Sequence, residues 1–344
     1  MEPLEERKAA VLRAVVQDHV RTAEPVGSGT IARRHRLGVS PATIRSEMAA
    51  LEEMGYLAQP HTSAGRIPTD LGYRHYVDNL PRRVTLPQAL AREIEGYFGD
   101  RRVDLDELLH GTAALLSKLT GYAAVALTPR TSGGLVLRAE LVAVGSGLML
   151  LVVSDTGRVD KRMLDLDTEP DAKIVERASR MLSERLAGLD YDEAAERAAR
   201  LAREIADEER RLVRDVADAI RDLRATDAEH VFVGGVANIA DEHAFERRET
   251  LRELVETLEE RAAVLEIVAA VSGAMEGVTV RIGHENPLRA LAEASVVVGW
   301  YGPDEEPAGA IAVVGPTRME YPRAISAAQA VAGRLSDLMS GLAG

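Results

Sequence analysis

"SPATIRSEMAALEEMGYLAQPHTSAGRIPT", residues 40–69, changes rhythm twice, and those changes decide the fold. Ser40 before Pro41 is a helix start, because a serine hydroxyl accepts from a free backbone N–H and proline suits the first helical position. The predicted helix runs from Pro41 to about Met54, with Gly55 placed to end it. Ile44, Met48 and Leu51 recur at helical spacing and form one apolar stripe; Ala42, Ser46 and Ala49 point the opposite way, flanked by Thr43 and Arg45. Beyond Gly55, YLAQ reads as a strand, PHTSAG as a turn and RIPT as a short return strand. Pro68 fits there only on an edge that need not donate a ladder hydrogen bond.

Upstream, apolar residues at helical spacing predict a first helix from Pro3 to Val20, and Thr30–His35 a short second one stopped near Gly38. Helix, turn, helix and hairpin make a winged helix-turn-helix over residues 1–80. The small side chains on the outer face of the third helix suit entry into a groove about 12 Å wide, where Thr43, Arg45 and Ser46 would reach base edges or phosphates. A narrow tip of His61, Thr62, Ser63, Ala64, Gly65 and Arg66 would lie along phosphates or in a minor groove. With Arg33 and Arg34 from the second helix, and Ser40 and Ala42 from the third, these are the expected contacts to double-stranded DNA. The same helical pattern also serves protein-interaction adaptors, which stays an alternative.

The charge distribution agrees with the DNA reading. The chain of 344 residues carries a net −13, which by itself opposes phosphate binding. Residues 1–80 hold ten Lys/Arg and ten Asp/Glu, so the whole deficit lies downstream. Within 31–46, Arg33, Arg34, Arg36 and Arg45 have no acidic neighbour in sequence. With 46% apolar residues the chain can bury more than one core. It contains no cysteine, which excludes disulfides and thiol chemistry. No run reaches the roughly 18 apolar residues of a membrane helix, and the N-terminus is too charged for a signal peptide, so a cytoplasmic protein without a membrane partner is expected.

Downstream, TDLGYRHYVDNL is a helix with Tyr73, Tyr76, Val77 and Leu80 on one face, and residues 81–103 are a linker and connecting helix. Helices at about 87–98 and 104–119 precede β-rich runs up to about residue 170, and the same texture resumes at VTVRIG, ASVVVGW and GAIAVVG. One antiparallel sheet, formed by 104–170 and 251–344 and interrupted by a helical insert at 171–250, is the economical reading. In the insert, Leu201, Ile205, Leu212, Val216, Ile220 and Leu223 form a narrow stripe. It would pack either on its own neighbour VFVGGVANI or across an intersubunit seam.

The block PVGSGTIARRHRLGVSPATIRSEMAALEEMGYLAQPHTSAGRIPTDLGYRHYVD, together with VRIGHENP and AGAIAVVGPTRMEYPRAI, resembles the heat-inducible transcription repressor HrcA family in the same order along nearly the whole chain. The first block is highly specific, whereas IGHEN alone would be weak. The resemblance implies an α+β multidomain fold: a winged helix-turn-helix, then a GAF-like domain with an inserted dimerisation domain. It further implies a homodimer that binds the inverted-repeat CIRCE operator upstream of groE and dnaK operons and represses transcription until heat shock. The GroEL chaperonin would keep such a repressor active.

An enzyme is not expected. His284 with Glu285 is a single pair without a second carboxylate, and such a pair is more often structural. The glycines of TSGG, GSG and VGGVAN fit no phosphate loop, and eight scattered histidines offer no metal-ligand spacing. Neither cofactor nor metal is expected. The competing function is a metabolite-sensing winged-helix regulator whose GAF-like domain holds a small effector.

Overall fold

A computed structural model describes residues 4–61, 64–81, 86–99, 105–127, 134–145, 147–155, 159–164, 166, 171–205, 207–226, 231–239, 248–271, 277–302 and 309–342. Three helices open the chain: α1 (Glu6–Thr22), α2 (Ser28–Arg34) and α3 (Pro41–Glu53). They close on Val11, Leu12, Val15, Ile31, Ile44, Met48 and Leu51, each at most 1% exposed. Every such side chain contributes about 1.5–3 kcal/mol relative to an exposed one. Strands β1 (Leu57–Ala58) and β2 (Ile67–Pro68) pair antiparallel, with Leu57 opposite Pro68. A bridge between Val26 and Arg66 binds the α1–α2 connection to the same hairpin.

Helix α4 (Asp70–Asp78) is capped by Thr69, whose side chain accepts from Gly72 N. Its Tyr73 and Tyr76 are buried and Val77 and Leu80 pack partly on the same core. Helices α5 (Gln88–Phe98) and α6 (Leu105–Thr120) follow, and β3 (Ala123–Leu127) begins the main sheet.

The expected single sheet is in fact two. Strands β4 (Val136–Val144), β5 (Gly147–Ser154) and β6 (Val159–Leu164) form their own antiparallel meander. Helices α7 (Ala172–Leu186), α8 (Tyr191–Glu204) and α9 (Asp207–Thr226) share a separate core with it. The chain returns through β7 (Val231–Gly234), α10 (Val236–Ile239), α11 (Arg248–Glu259), α12 (Arg261–Ala270), β8 (Val278–Ile282), β9 (Ala294–Tyr301), β10 (Gly309–Pro316) and α13 (Tyr321–Leu342). The second sheet has five antiparallel strands in the order β7-β3-β10-β9-β8. Thus β4–β6 leave the main sheet, and β7, inside the expected helical insert of 171–250, joins it.

The helical stripe also differs from both sequence readings. It breaks at Ile205, which is extended at φ −99°, ψ 168°. Leu201, Leu212, Val216 and Ile220 are buried against β4–β6 and their own helices, rather than on β7 or in an intersubunit seam.

The N-terminal helices share one continuous core with α5, α6, α13 and one face of the five-stranded sheet. The other face of that sheet is covered by α11 and α12. The first unit is therefore seated on the body, with the Tyr73 and Tyr321 rings 5.9 Å apart beneath it. Among the described residues no helix is long and apolar enough to cross a membrane.

Candidate nucleic-acid interface

Helix α3 is built as its sequence requires. Thr43 N donates to Ser40 Oγ at 3.1 Å, and the two hydroxyls lie 2.9 Å apart, so the cap also fixes the Thr43 side chain. With Ile44, Met48 and Leu51 buried, the opposite face is left outside: Ala42, Arg45 and Ser46 are exposed, Thr43 and Ala49 half-buried. A slim face of this kind lets a helix backbone come close to a partner surface.

Basic side chains gather at the end of α2. Arg33, Arg34 and Arg36 are all exposed. Arg34 is partly committed, since its Nη1 lies 3.5 Å from Asp18 Oδ1, an oxygen that also faces Arg21 and, at 3.4 Å, His35 Nε2. Asp18 is only 1% exposed, so a buried carboxylate on α1 anchors the basic end of α2. Arg36 and Asp18 were not among the expected site residues. Arg36 carries the same signal as Arg33, an arginine in an acid-free run. Asp18 carries none, because its role depends on packing between two helices.

The hairpin tip is closed by Gln59 Nε2 donating to Ala64 O at 3.0 Å and Ala64 N to His61 O at 2.8 Å. His61 is exposed, and Thr62 and Ser63 lie outside the described residues. Gly65 lies so close to the α1–α2 connection that a Cβ there would come within 2.5 Å of Val26 backbone atoms. Arg66 is paired within the protein. Its side chain is 17% exposed and its Nη2 lies 2.7 Å from Glu52 Oε2, so its charge is met within the protein and it ties the hairpin to α3.

Two other features among the described residues are committed to structure. His284 and Glu285 contact Asp70 and Arg74 of α4, which agrees with a structural pair. A groove of about 880 Å³ beside α6 is lined by Ser117, Lys118, Gly235 and Asn238. There Asn238 Nδ2 donates to Ser117 Oγ at 2.8 Å and Lys118 pairs with Glu93, so its main polar groups already have partners. Among the described residues no group of acidic, His or Cys side chains is arranged to hold a metal.

Residues 106–325 match the family described as "HrcA protein C terminal domain". A heat-inducible transcription repressor HrcA of Desulforudis audaxviator (strain MP104C) is 38% identical over 343 residues, covering 98% of this chain and 99% of that one. That of Thermobifida fusca (strain YX) is 40% identical over 340 residues, covering 98% of each. A crystal structure of a hypothetical protein shares the fold at a TM-score of 0.72 and 25% identity, over 99% of this chain and 100% of that chain. These full-length matches define a class of heat-inducible transcription repressors, not of enzymes. The chain belongs to the HrcA family.

Proposed function

We propose that this repressor acts by binding double-stranded DNA through its N-terminal unit, used as a winged helix-turn-helix with α3 in the major groove. The observation that carries the reading is the division of α3. Its apolar stripe is buried while Ala42, Arg45 and Ser46 face out, and Arg33 and Arg36 upstream are exposed as well. Such a helix places short side chains toward base edges and longer cations toward phosphates.

The finer reading is a homodimer on an inverted repeat of the CIRCE type, upstream of groE and dnaK operons and released on heat shock, with GroEL sustaining the active form. Two reading helices related by a twofold axis match a palindromic site. The five-stranded sheet and its helices are assigned as the GAF-like domain, and β4–β6 with α7–α9 as the inserted dimerisation domain. Support for the dimer comes from the uncovered face of β4–β6. There Val142, Met149 and Met163 stand in one cross-strand row, and Glu140, Leu151 and Lys161 in the next. Leu137, Val144, Val159 and Met163 are each 45–57% exposed. A twofold pairing of two such faces would bury the apolar row and bring Lys161 of one copy toward Glu140 of the other.

The test is footprinting of the purified protein on groE and dnaK promoter DNA, with and without GroEL. Protection of both arms of an inverted repeat, strengthened by GroEL, is expected. Absence of protection on any inverted repeat would remove DNA binding from the account, and protection indifferent to GroEL would remove the chaperonin.

A further inference from the structure

We infer that Asp70, Arg74, Gly283 and Glu285 form a latch that fixes the angle of the N-terminal unit on the five-stranded sheet, and thereby the separation of the two reading helices in a dimer. The second half of this inference rests on the DNA-binding reading above.

The latch joins residues more than two hundred positions apart. His284 N donates to Asp70 Oδ2 at 3.0 Å, and His284 Nδ1 lies 2.8 Å from the same oxygen. The approach is possible because residue 283 is glycine: it sits at φ 50°, and a Cβ would come within 2.3 Å of Asp70 Oδ2. One turn along α4, Arg74 Nε donates to Glu285 Oε1 at 2.8 Å, while Nη2 reaches Glu285 Oε2 and donates to Val280 O at 2.7 Å. This is a two-pronged arginine–carboxylate pair, which fixes orientation as well as distance.

Both sides of the latch are stiff. On the sheet side, Ile282 N donates to Glu285 Oε2 at 2.9 Å, and Arg281 donates to Glu285 O at 3.0 Å and to Ala270 O at 2.8 Å. Buried Asn286 donates to Gly283 O at 2.9 Å. On the other side, Thr69 N donates to Tyr56 O at 3.1 Å and Thr69 Oγ1 to Gly55 O at 2.6 Å, so α4 is bonded to the segment that ends α3. An orientation imposed at Arg74 is therefore passed to Ser46. The packing beneath, with the Tyr73 and Tyr321 rings 5.9 Å apart, adds burial to these directional bonds.

The native chain has no cysteine, so two spin labels can be placed uniquely, at exposed Ser46 and exposed Arg289. Labelled full-length protein is diluted with unlabelled protein, and the distance distribution is measured by pulsed electron resonance. The same forms without label, with Ser46 and Arg289 intact, are also titrated on inverted repeats whose spacer is lengthened one base pair at a time. The intact latch should give one narrow distribution. Arg74→Met and, independently, Asp70→Ala should broaden it while single half-site affinity stays unchanged. Spacer discrimination of about tenfold should flatten to about twofold in both variants. A distribution that stays narrow in folded Arg74→Met or Asp70→Ala would overturn the latch. A broadened distribution with spacer preference intact would overturn its link to half-site separation. If the unmodified protein binds no repeat at any spacing, the DNA-binding reading fails, while the distance measurement still decides the latch.

Discussion

Arg66 Nε donates to Glu52 Oε2 at 2.8 Å, so the hairpin is tied to the last turn of α3 by a largely sheltered ion pair. The side chain that the sequence offered as a phosphate contact is thus already paired within the protein. Arg66→Ala and Glu52→Gln should weaken operator binding by similar factors, because each releases the hairpin. Neither should change the salt dependence by the unit expected of a lost phosphate contact. A titration across salt concentrations in which Arg66→Ala lowers the slope by about one unit would restore Arg66 to the phosphate surface.

Arg33, Arg36 and Arg45 carry the opposite expectation. Arg33→Ala and Arg36→Ala should each lower the salt slope by about one unit and leave sequence preference unchanged. Arg45→Ala should cost about 1–3 kcal/mol and relax specificity at one operator position. Fluorescence titration on operators altered one base pair at a time separates the two roles. An Arg45 variant with unaltered base preference is not reading a base.

His19 supplies a pH dependence at the seat of the N-terminal unit. Its ring shares a 2.8 Å hydrogen bond with the Tyr73 hydroxyl. Burial, reinforced by the nearby Arg318 charge, lowers its pKa from 6.5 to about 4. Below about pH 6.5 the unfolded chain gains a proton that the folded chain refuses until about pH 4. Stability therefore falls with acidification through that window, by roughly 2–3 kcal/mol from this group. Urea unfolding of wild type and His19→Gln between pH 4 and 7 checks the sign. The variant should lose less stability on acidification, and parallel curves would refute the assignment.

Exposed Met163 tests the sheet face. Met163→Glu places a charge in the row shared with Val142 and Met149. It should convert the dimer to monomer in sedimentation while leaving the thermal midpoint of the monomer nearly unchanged, since Met163 is 50% exposed. An unaltered dimer would move the twofold interface elsewhere.

What the sequence disclosed follows from the range of the forces involved. Helix α3 was legible because its cap, its apolar stripe and Gly55 all act within one turn or two. The two-sheet division was not, because Ile311 pairs with Ala126 and Val233 with Val125, and such partners leave no local trace. One signal was available. AAVAL of β3 and GAIAVVGP of β10 are buried throughout, as in a sheet covered on both faces. By contrast β5 alternates buried with half-buried residues, and β6 buries only Asp160 and Leu164, as in a sheet covered on one face. Glu52 and Asp18 could not have been found this way, because their partners are set by packing.

The central claim is that the outer face of α3 meets DNA, and Ser46 lies at the middle of that face. Ser46→Glu adds a negative charge there without touching the stripe of Ile44, Met48 and Leu51. Titration of wild type and variant on one inverted-repeat operator, with thermal unfolding in parallel, decides the matter. Binding should weaken by at least about 1–3 kcal/mol with the unfolding midpoint unchanged; equal affinity in a folded variant would contradict the account.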